Sequence, residues 1–236
     1  MKLVLMAGGK GERLYPLTKE VPKPMLPLNG KPVLEHTIEW AKQQGLKDII
    51  ICSGYLAHVI EEYFGNGEKF GVNIKYSIEK EKLGTAGPLK LAKELIGNDN
   101  FIMLHADILC QINAKPLMDF HNNNNALCTL VVHKSSHPED SDLIEKDEKG
   151  KIVKFWKKPH SEKPNTELGN SGMHVFSSKI FNFIPDGKYS MENELLPNII
   201  ETQNNVFAYH TEEFLKDMGT FDRIKQVEEK LKSNKE

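Results

Sequence analysis

The chain opens Lys2-Leu-Val-Leu-Met-Ala-Gly-Gly-Lys-Gly-Glu-Arg-Leu-Tyr-Pro-Leu-Thr18, followed shortly by Val21-Pro-Lys-Pro-Met-Leu-Pro27. The apolar run Leu3 to Met6 reads as a buried strand. It empties into Ala7-Gly8-Gly9-Lys10-Gly11, whose glycines can turn successive backbone N–H groups toward a phosphate chain. Arg13 follows at once, and Lys23 stands between Pro22 and Pro24, which stiffen its loop. A strand, a glycine loop and two fixed cations suit a nucleoside triphosphate, with Met6, Ala7, Gly8, Gly9, Gly11, Arg13 and Lys23 as its expected contacts.

Two better-known glycine loops do not fit. A Walker A loop needs Gly-x4-Gly-Lys-Ser/Thr, a spacing this sequence lacks. The dinucleotide fingerprint needs a Gly-x-Gly-x-x-Gly that opens a helix. Here Gly9-Lys10-Gly11 leads into Glu12-Arg13-Leu14, and Pro16 opposes a long helix.

Outward from this loop, apolar strands alternate with helical spacings. Val33–Gln44 repeats apolar residues at helical intervals and closes on Gly45. Asp48–Cys52 is a second buried strand, Leu56–Phe64 a second helix, Val72–Ser77 an alternating strand, Ala86–Ile96 a helix and Phe101–Leu104 a fourth apolar strand. Such alternation predicts an α/β fold, a mainly parallel sheet covered by helices on both faces in a Rossmann-like three-layer αβα sandwich. Ligands bind such sheets at the carboxyl ends of the strands, where the glycine loop, Ser53-Gly54-Tyr55 and Asp107 all fall. Further strands are expected at Ala126–His133, Ile152–Trp156, Met173–Phe176 and Val206–Tyr209. The polar Lys157–Asn170 stretch reads as a flap. Thr220–Lys232 reads as an amphipathic helix carrying Ile224, Val227 and Leu231 on one face, with a frayed charged tail. One domain over 1–236 is expected, with a nucleotide half (1–125) and a sugar half (126–236).

The 236 residues can bury a full core, and a net charge of −2 with pI near 6.5 gives no general attraction to nucleic acid or an anionic membrane. Cys52, Cys110 and Cys128 lie in or beside apolar runs without a CxxC pair, which favours buried free thiols over zinc. No signal-peptide pattern and no apolar run of membrane-spanning length occur, so a cytoplasmic protein, monomeric or homodimeric, is expected. His36, Trp40 and Trp156 read as packing residues.

The motif Leu5-Met-Ala-Gly-Gly-Lys-Gly-Glu-Arg-Leu-x-Pro-Leu-Thr18 with Pro22-Lys-Pro24 resembles the signature of the sugar-1-phosphate nucleotidyltransferases. Within that family, Leu83-Gly-Thr-Ala-Gly-Pro-Leu89 is similar to mannose-1-phosphate guanylyltransferases. His137-Pro-Glu-Asp-Ser-Asp-Leu143, with Lys158-Pro-His160, resembles the short D-glycero-D-manno-heptose 1-phosphate guanylyltransferases. The resemblance runs from Lys2 to about Phe221. It implies the nucleotide-diphospho-sugar transferase type of sheet. The hexapeptide β-helix that follows this domain in many mannose relatives is expected to be absent, because the sequence stops first.

The implied reaction is attack of a sugar 1-phosphate oxygen on the α-phosphorus of a nucleoside triphosphate, releasing pyrophosphate. The nucleophile is already anionic, so the work is positioning and cationic clamping, with Mg2+ on the phosphates. The resemblance makes Arg13, Lys23 and Asp107 catalytic, with Asp107 and Asp217 as the metal pair. Read without it, Asp107 starts a turn after a strand, and Asp217-Met-Gly-Thr220 is a turn before a Thr-capped helix. The family's residues before the first Asp are replaced here by His105-Ala106.

Lys158, in Phe155-Trp-Lys-Lys-Pro159, resembles the family's lysine that grips the sugar-linked phosphate, although the preceding Glu of that motif is Lys157 here. Asn170 and Gly172, in Asn170-Ser-Gly-Met-His-Val-Phe176, match the sugar-contacting strand. Ser53, Gly54, Glu79, Gly84, Thr85 and Ala86 are the remaining nucleotide-side candidates, the last three at a helix start with free N–H groups. A Thr-capped helix start is the plain alternative. The acids of 137–142 face either sugar hydroxyls or solvent.

Guanine is inferred from Gly8-Gly9 and Leu83-Gly-Thr-Ala-Gly87, with UTP, CTP and dTTP still open and the sugar left between mannose and heptose. Two other classes compete. A catalytically silent nucleotide-sugar-binding regulator is disfavoured by the retained Arg13, Lys23, Asp107, Lys158 and Asp217. A metal-dependent glycosyltransferase needs Asp-x-Asp after a central strand, where this chain has Ala106-Asp107-Ile108.

Overall fold

Leu3, Val4 and Leu5 are wholly buried, as a strand covered on both faces requires. In the computed structural model, which describes residues 1–233 and the side chains of 1–229, they lie in the parallel strand Lys2–Met6. Its partner is Asp48–Ser53, in register from Lys2↔Asp48 to Met6↔Cys52. Asp48–Ser53 in turn pairs in parallel with Asn73–Ile78, ending at Ser53↔Ile78. The common register brings Ala7, Gly54 and Glu79 out of the sheet at the same end: Ala7 N donates to Cys52 O at 2.7 Å and Glu79 N to Ser53 O at 2.9 Å.

The chain forms two compact units. The first comprises 1–82, 104–112 and 214–236, and the second 83–103 and 113–213. In the first, the helices Val33–Gln43 and Ala57–Phe64 follow their strands as alternation predicts. Gly45 ends the former with φ 76°, a conformation that favours glycine. Two short strands that hydrophobic patterning does not reveal complete this unit: Ile108–Cys110 pairs antiparallel with Leu215–Asp217. The helix Phe221–Ser233 follows, with Ile224 N bonded to Thr220 O and Arg223 N to Thr220 Oγ1 at 3.4 Å. Val227 packs with Leu28, Val33, Leu109 and Met218, flanked by Phe214 and Ile224. The expected Leu231 contact and the charged tail lie outside the described side chains.

In the second unit, Cys128–Lys134 runs between Leu168–Phe176, antiparallel, and Val206–His210, parallel. Leu143–Lys146 pairs antiparallel with Ile152–Trp156, and Leu143 also pairs with Gly169. The strand expected at Met173–Phe176 begins earlier, at Leu168, and bulges between Asn170 and His174, with Gly172 at φ 76°. The single helix expected over Ala86–Ile96 is two short ones, Gly87–Leu91 and Lys93–Ile96. They part at Ala92 (φ −82°, ψ −1°), where Leu95 N turns back to Ala92 O at 3.0 Å.

Trp40 and Trp156 are buried, with indole N–H groups donating to Ile112 O at 2.8 Å and Glu145 Oε2 at 3.0 Å. His36 Nε2 meets Leu28 O at 2.8 Å. All three cysteines are buried thiols outside any disulfide. Burial, with Glu79 adding negative charge, pushes the Cys52 thiol up to about 12. Among the described residues no helix is long and apolar enough to cross a membrane.

Candidate functional site

In the first unit the glycine loop is short because its turn is made locally. Gly11 takes φ 63°, and Leu14 N donates back to Gly11 O at 2.9 Å. Thr18 Oγ1 donates to the same carbonyl at 2.8 Å. A side chain at Gly11 would meet Lys23 Cβ and Thr18 Cγ2, each at 3.1 Å. The loop and the Pro22-Lys23-Pro24 segment are therefore in contact. The prolines do what the sequence suggests: Pro22 and Pro24 are buried, and Met25 N closes a tight turn onto Pro22 O at 2.8 Å.

That turn aims Lys23 at Asp107. Their side chains form an ion pair and are 11 % and 24 % exposed. Burial alone would raise the Asp107 pKa, but the Lys23 ammonium, His105 and the Lys23 hydrogen bond outweigh it and hold the carboxyl below its ordinary value. Ala106 N donates to Met6 O at 3.0 Å, anchoring the Asp107 turn beside the start of the glycine loop.

Asp217 arrives through the short antiparallel pair, in register with Ile108, and Met218 N donates to Asp107 O at 2.9 Å. Its Oδ1 accepts Gly219 N at 2.9 Å. Arg223 Nη1 reaches both carboxylate oxygens, at 2.6 and 2.7 Å. A side chain at Gly219 would meet Asp217 Oδ1 at 2.6 Å and Arg13 Nη2 at 3.3 Å, so the Arg13 guanidinium also borders this turn. The four residues Arg13, Lys23, Asp107 and Asp217 are thus gathered in one unit. Arg223 was not anticipated: six residues beyond Asp217, it looks in sequence like any solvated charge on a helix.

Glu79 spans two glycines of the same unit. A Cβ on Gly8 would lie 2.8 Å from its Oε1, and one on Gly54 2.7 Å from its Cγ. Ser53 is buried and its hydroxyl has no hydrogen-bond partner. The ends of three parallel strands thus carry Gly8, Ser53, Gly54 and Glu79 together, while a Cβ added at Gly9 would meet nothing within 4 Å.

The second unit holds the other candidates. The idea of free N–H groups at the Leu83–Gly87 helix start is corrected. Ala86 N and Gly87 N both donate to Tyr189 O, at 2.9 and 3.2 Å. Thr85 Oγ1 donates to Glu192 Oε2 and accepts from Met191 N, each at 2.7 Å. Ala86, not Thr85, is the cap residue. A segment more than a hundred residues downstream takes up these groups, which local sequence could not announce. Gly84 has φ 80°, and a side chain there would strike the Tyr189 backbone.

Lys158, exposed, donates from Nζ to Asp140 O at 2.8 Å and Asp140 Oδ1 at 3.3 Å. Its backbone N donates to Asp142 Oδ1 at 3.0 Å, and Asn170 N donates to Asp142 O at 2.9 Å. The acidic 137–142 turn therefore touches both sugar-side candidates. Asn170 Oδ1 faces Gly172 N at 3.4 Å.

Asp217, at the end of its strand, and Asp107, in the turn before the strand paired with it, supply hard oxygen donors, each already matched to a cation. No group of three or more His, Cys, Asp or Glu that could hold a metal occurs among the described residues. Two carboxylates suit a divalent cation that keeps phosphate and water oxygens as its other ligands.

A family model described as Nucleotidyl transferase matches residues 2–234. Mannose-1-phosphate guanylyltransferase of Mycobacterium tuberculosis is 33% identical over 92% of this chain and 60% of its own. UTP--glucose-1-phosphate uridylyltransferase of Synechocystis is 31% identical over 93% of this chain and 60% of its own. This chain thus spans about three fifths of the length of these relatives. Among solved structures, HddC from Yersinia pseudotuberculosis complexed with GMP-PN superposes with a TM-score of 0.82 at 26% identity, covering 98% of this chain and 99% of that one.

Proposed function

Since the chain belongs to the nucleotidyl transferase family, and has that family's mixed, mainly parallel sheet with helices, we propose that it transfers a nucleoside monophosphate from GTP to a sugar 1-phosphate of mannose or heptose type, releasing pyrophosphate. The observation that carries this reading is the gathering of Arg13, Lys23, Asp107 and Asp217 beside the glycine loop. Those groups match the charge problem of joining two polyanions. Guanine is supported by relatives named guanylyltransferases and by a neighbour solved with GMP-PN. The uridylyltransferase relative keeps the choice of base an experimental matter.

In this reading the glycine loop's N–H groups and Arg13 hold the triphosphate, with Glu79, Ser53 and Gly54 bordering the base. Lys23, held in a buried turn, stabilises charge on the α-phosphoryl oxygens when its partner Asp107 is engaged elsewhere. Asp107 and Asp217 would hold Mg2+, which when bound neutralises phosphate charge. Lys158 takes the sugar-linked phosphate and Asn170 the sugar hydroxyls, with Gly172 leaving room for the ring. Gly84, Thr85 and Ala86 act by fixing their segment against Tyr189–Glu192. One nucleotidyltransferase domain, working in the cytoplasm as monomer or homodimer, completes the proposal.

Pyrophosphate release from GTP, UTP, CTP and dTTP against mannose, glucose and D-glycero-D-manno-heptose 1-phosphates tests it. Release is expected with GTP and one of the manno-configured sugars. Release from no pair would overturn the enzymatic reading in favour of a silent binding protein.

A further inference from the structure

The strand Leu143–Lys146 lies between two others, with Leu143 paired to Trp156 on one side and to Gly169 on the other. Asp142, the residue just before it, therefore stands where both neighbouring strands meet the sugar-side candidates. It uses different atoms for each: side-chain Oδ1 accepts Lys158 N at 3.0 Å, and main-chain O accepts Asn170 N at 2.9 Å. The turn leading into it is braced from within. Ser135 Oγ meets Ser141 Oγ at 2.8 Å, Ser141 Oγ donates to His137 O at 2.7 Å, and His160 Nε2 meets Ser141 O at 2.9 Å. Ser135 N is tied in turn to Glu167 O at 2.8 Å.

We propose that Asp142 is a positioning residue for the sugar 1-phosphate, fixing the backbone of Lys158 against that of Asn170 so that the phosphate-gripping cation and the sugar-facing amide keep one spacing. This rests on the sugar-side assignment of Lys158 and Asn170 above. The physical case is that Lys158 lies outside any strand and is exposed. Its main chain has no ladder to hold it, so a side-chain acceptor supplies the restraint that a strand would otherwise give. Asp140 and Asp142 then have opposite effects on the same lysine. Asp140 occupies its ammonium, whereas Asp142 sets where that ammonium starts from.

The test compares Asp142→Ala with Asp142→Asn in the full chain, because asparagine keeps the Oδ1 acceptor and alanine removes it. With GTP saturating, Asp142→Ala should raise KM for mannose 1-phosphate or D-glycero-D-manno-heptose 1-phosphate about tenfold, while KM for GTP stays within about twofold. Asp142→Asn should remain within about threefold of the parent chain on both. Equal rises in both Michaelis constants, or an asparagine variant as damaged as the alanine one, would overturn the proposal and leave a general structural role. If the parent chain releases no pyrophosphate with either sugar, the reaction itself fails. Calorimetric titration with the two sugar phosphates then decides the positioning claim. Binding weakened in Asp142→Ala and kept in Asp142→Asn supports it, and no difference, or no binding by the parent chain, overturns it.

Discussion

Met218 donates its backbone N–H to the carbonyl of Asp107 at 2.9 Å, tying together segments from the middle and the end of the chain. Through that bond and the Ile108↔Asp217 register, two carboxylates remote in sequence become neighbours one register step apart. Each carries its own cation, Lys23 for Asp107 and Arg223 for Asp217. The four charges balance, so the pair by itself has little net attraction for a free dication.

Removing either carboxylate should therefore silence the reaction without unfolding the chain. Asp107→Asn and Asp217→Asn are expected to lower turnover by at least about a hundredfold, with the circular dichroism of the folded chain little changed, and EDTA should abolish activity until Mg2+ is restored. Full activity of Asp217→Asn would remove that residue from the metal assignment.

Arg13→Ala and Lys23→Ala should reduce kcat much more than they raise KM for either substrate. Both cations are assigned to charge that grows in the transition state, and losing one such contact costs about 3 kcal/mol, a factor near a hundred. Lys23→Ala also leaves Asp107 without its neutralising partner, so its thermal stability should fall as well. Turnover near that of the parent chain in either variant would contradict the clamp.

On the other unit, Lys158→Ala should raise KM for the sugar phosphate while leaving GTP affinity nearly unchanged. Asp140→Ala is expected to act in the opposite direction. It frees the Lys158 ammonium from an exposed ion pair worth at most about 1 kcal/mol, so KM for the sugar phosphate should fall by no more than about fivefold. A Lys158→Ala variant that loses nucleotide binding alone would move this lysine to the triphosphate.

His121 gives the stability a pH dependence of known sign. It is wholly buried, its Nδ1 meets Thr129 Oγ1 at 2.9 Å, and burial lowers its pKa from 6.5 to about 4. The unfolded chain therefore binds a proton more readily, and stability is full above about pH 6.5 and declines toward pH 4. The loss should approach about 3 kcal/mol across that window, and His121→Gln should flatten it. Urea denaturation at pH 7 and pH 5 on both proteins checks this; identical slopes would remove His121 as the cause.

The parallel strands were legible because burial on both faces leaves an unbroken apolar run, as at Leu3–Leu5 and Ile49–Cys52. The pairing of Ile108–Cys110 with Leu215–Asp217 was not, since each strand is too short to show a period and their meeting is long-range. The glycine loop and Lys23 could be read from local chemistry. Arg223 and the Tyr189–Glu192 segment could not, because nothing in their own sequence marks the groups they bind.

The most direct measurement follows labelled phosphorus. GTP carrying the label on its α-phosphate, incubated with Mg2+ and mannose 1-phosphate or D-glycero-D-manno-heptose 1-phosphate, should yield a nucleotide sugar that retains it. GTP labelled on the γ-phosphate should place all of its label in pyrophosphate. Label from the γ position in inorganic phosphate, or none from the α position in a sugar product with either sugar, would contradict nucleotidyl transfer by this chain.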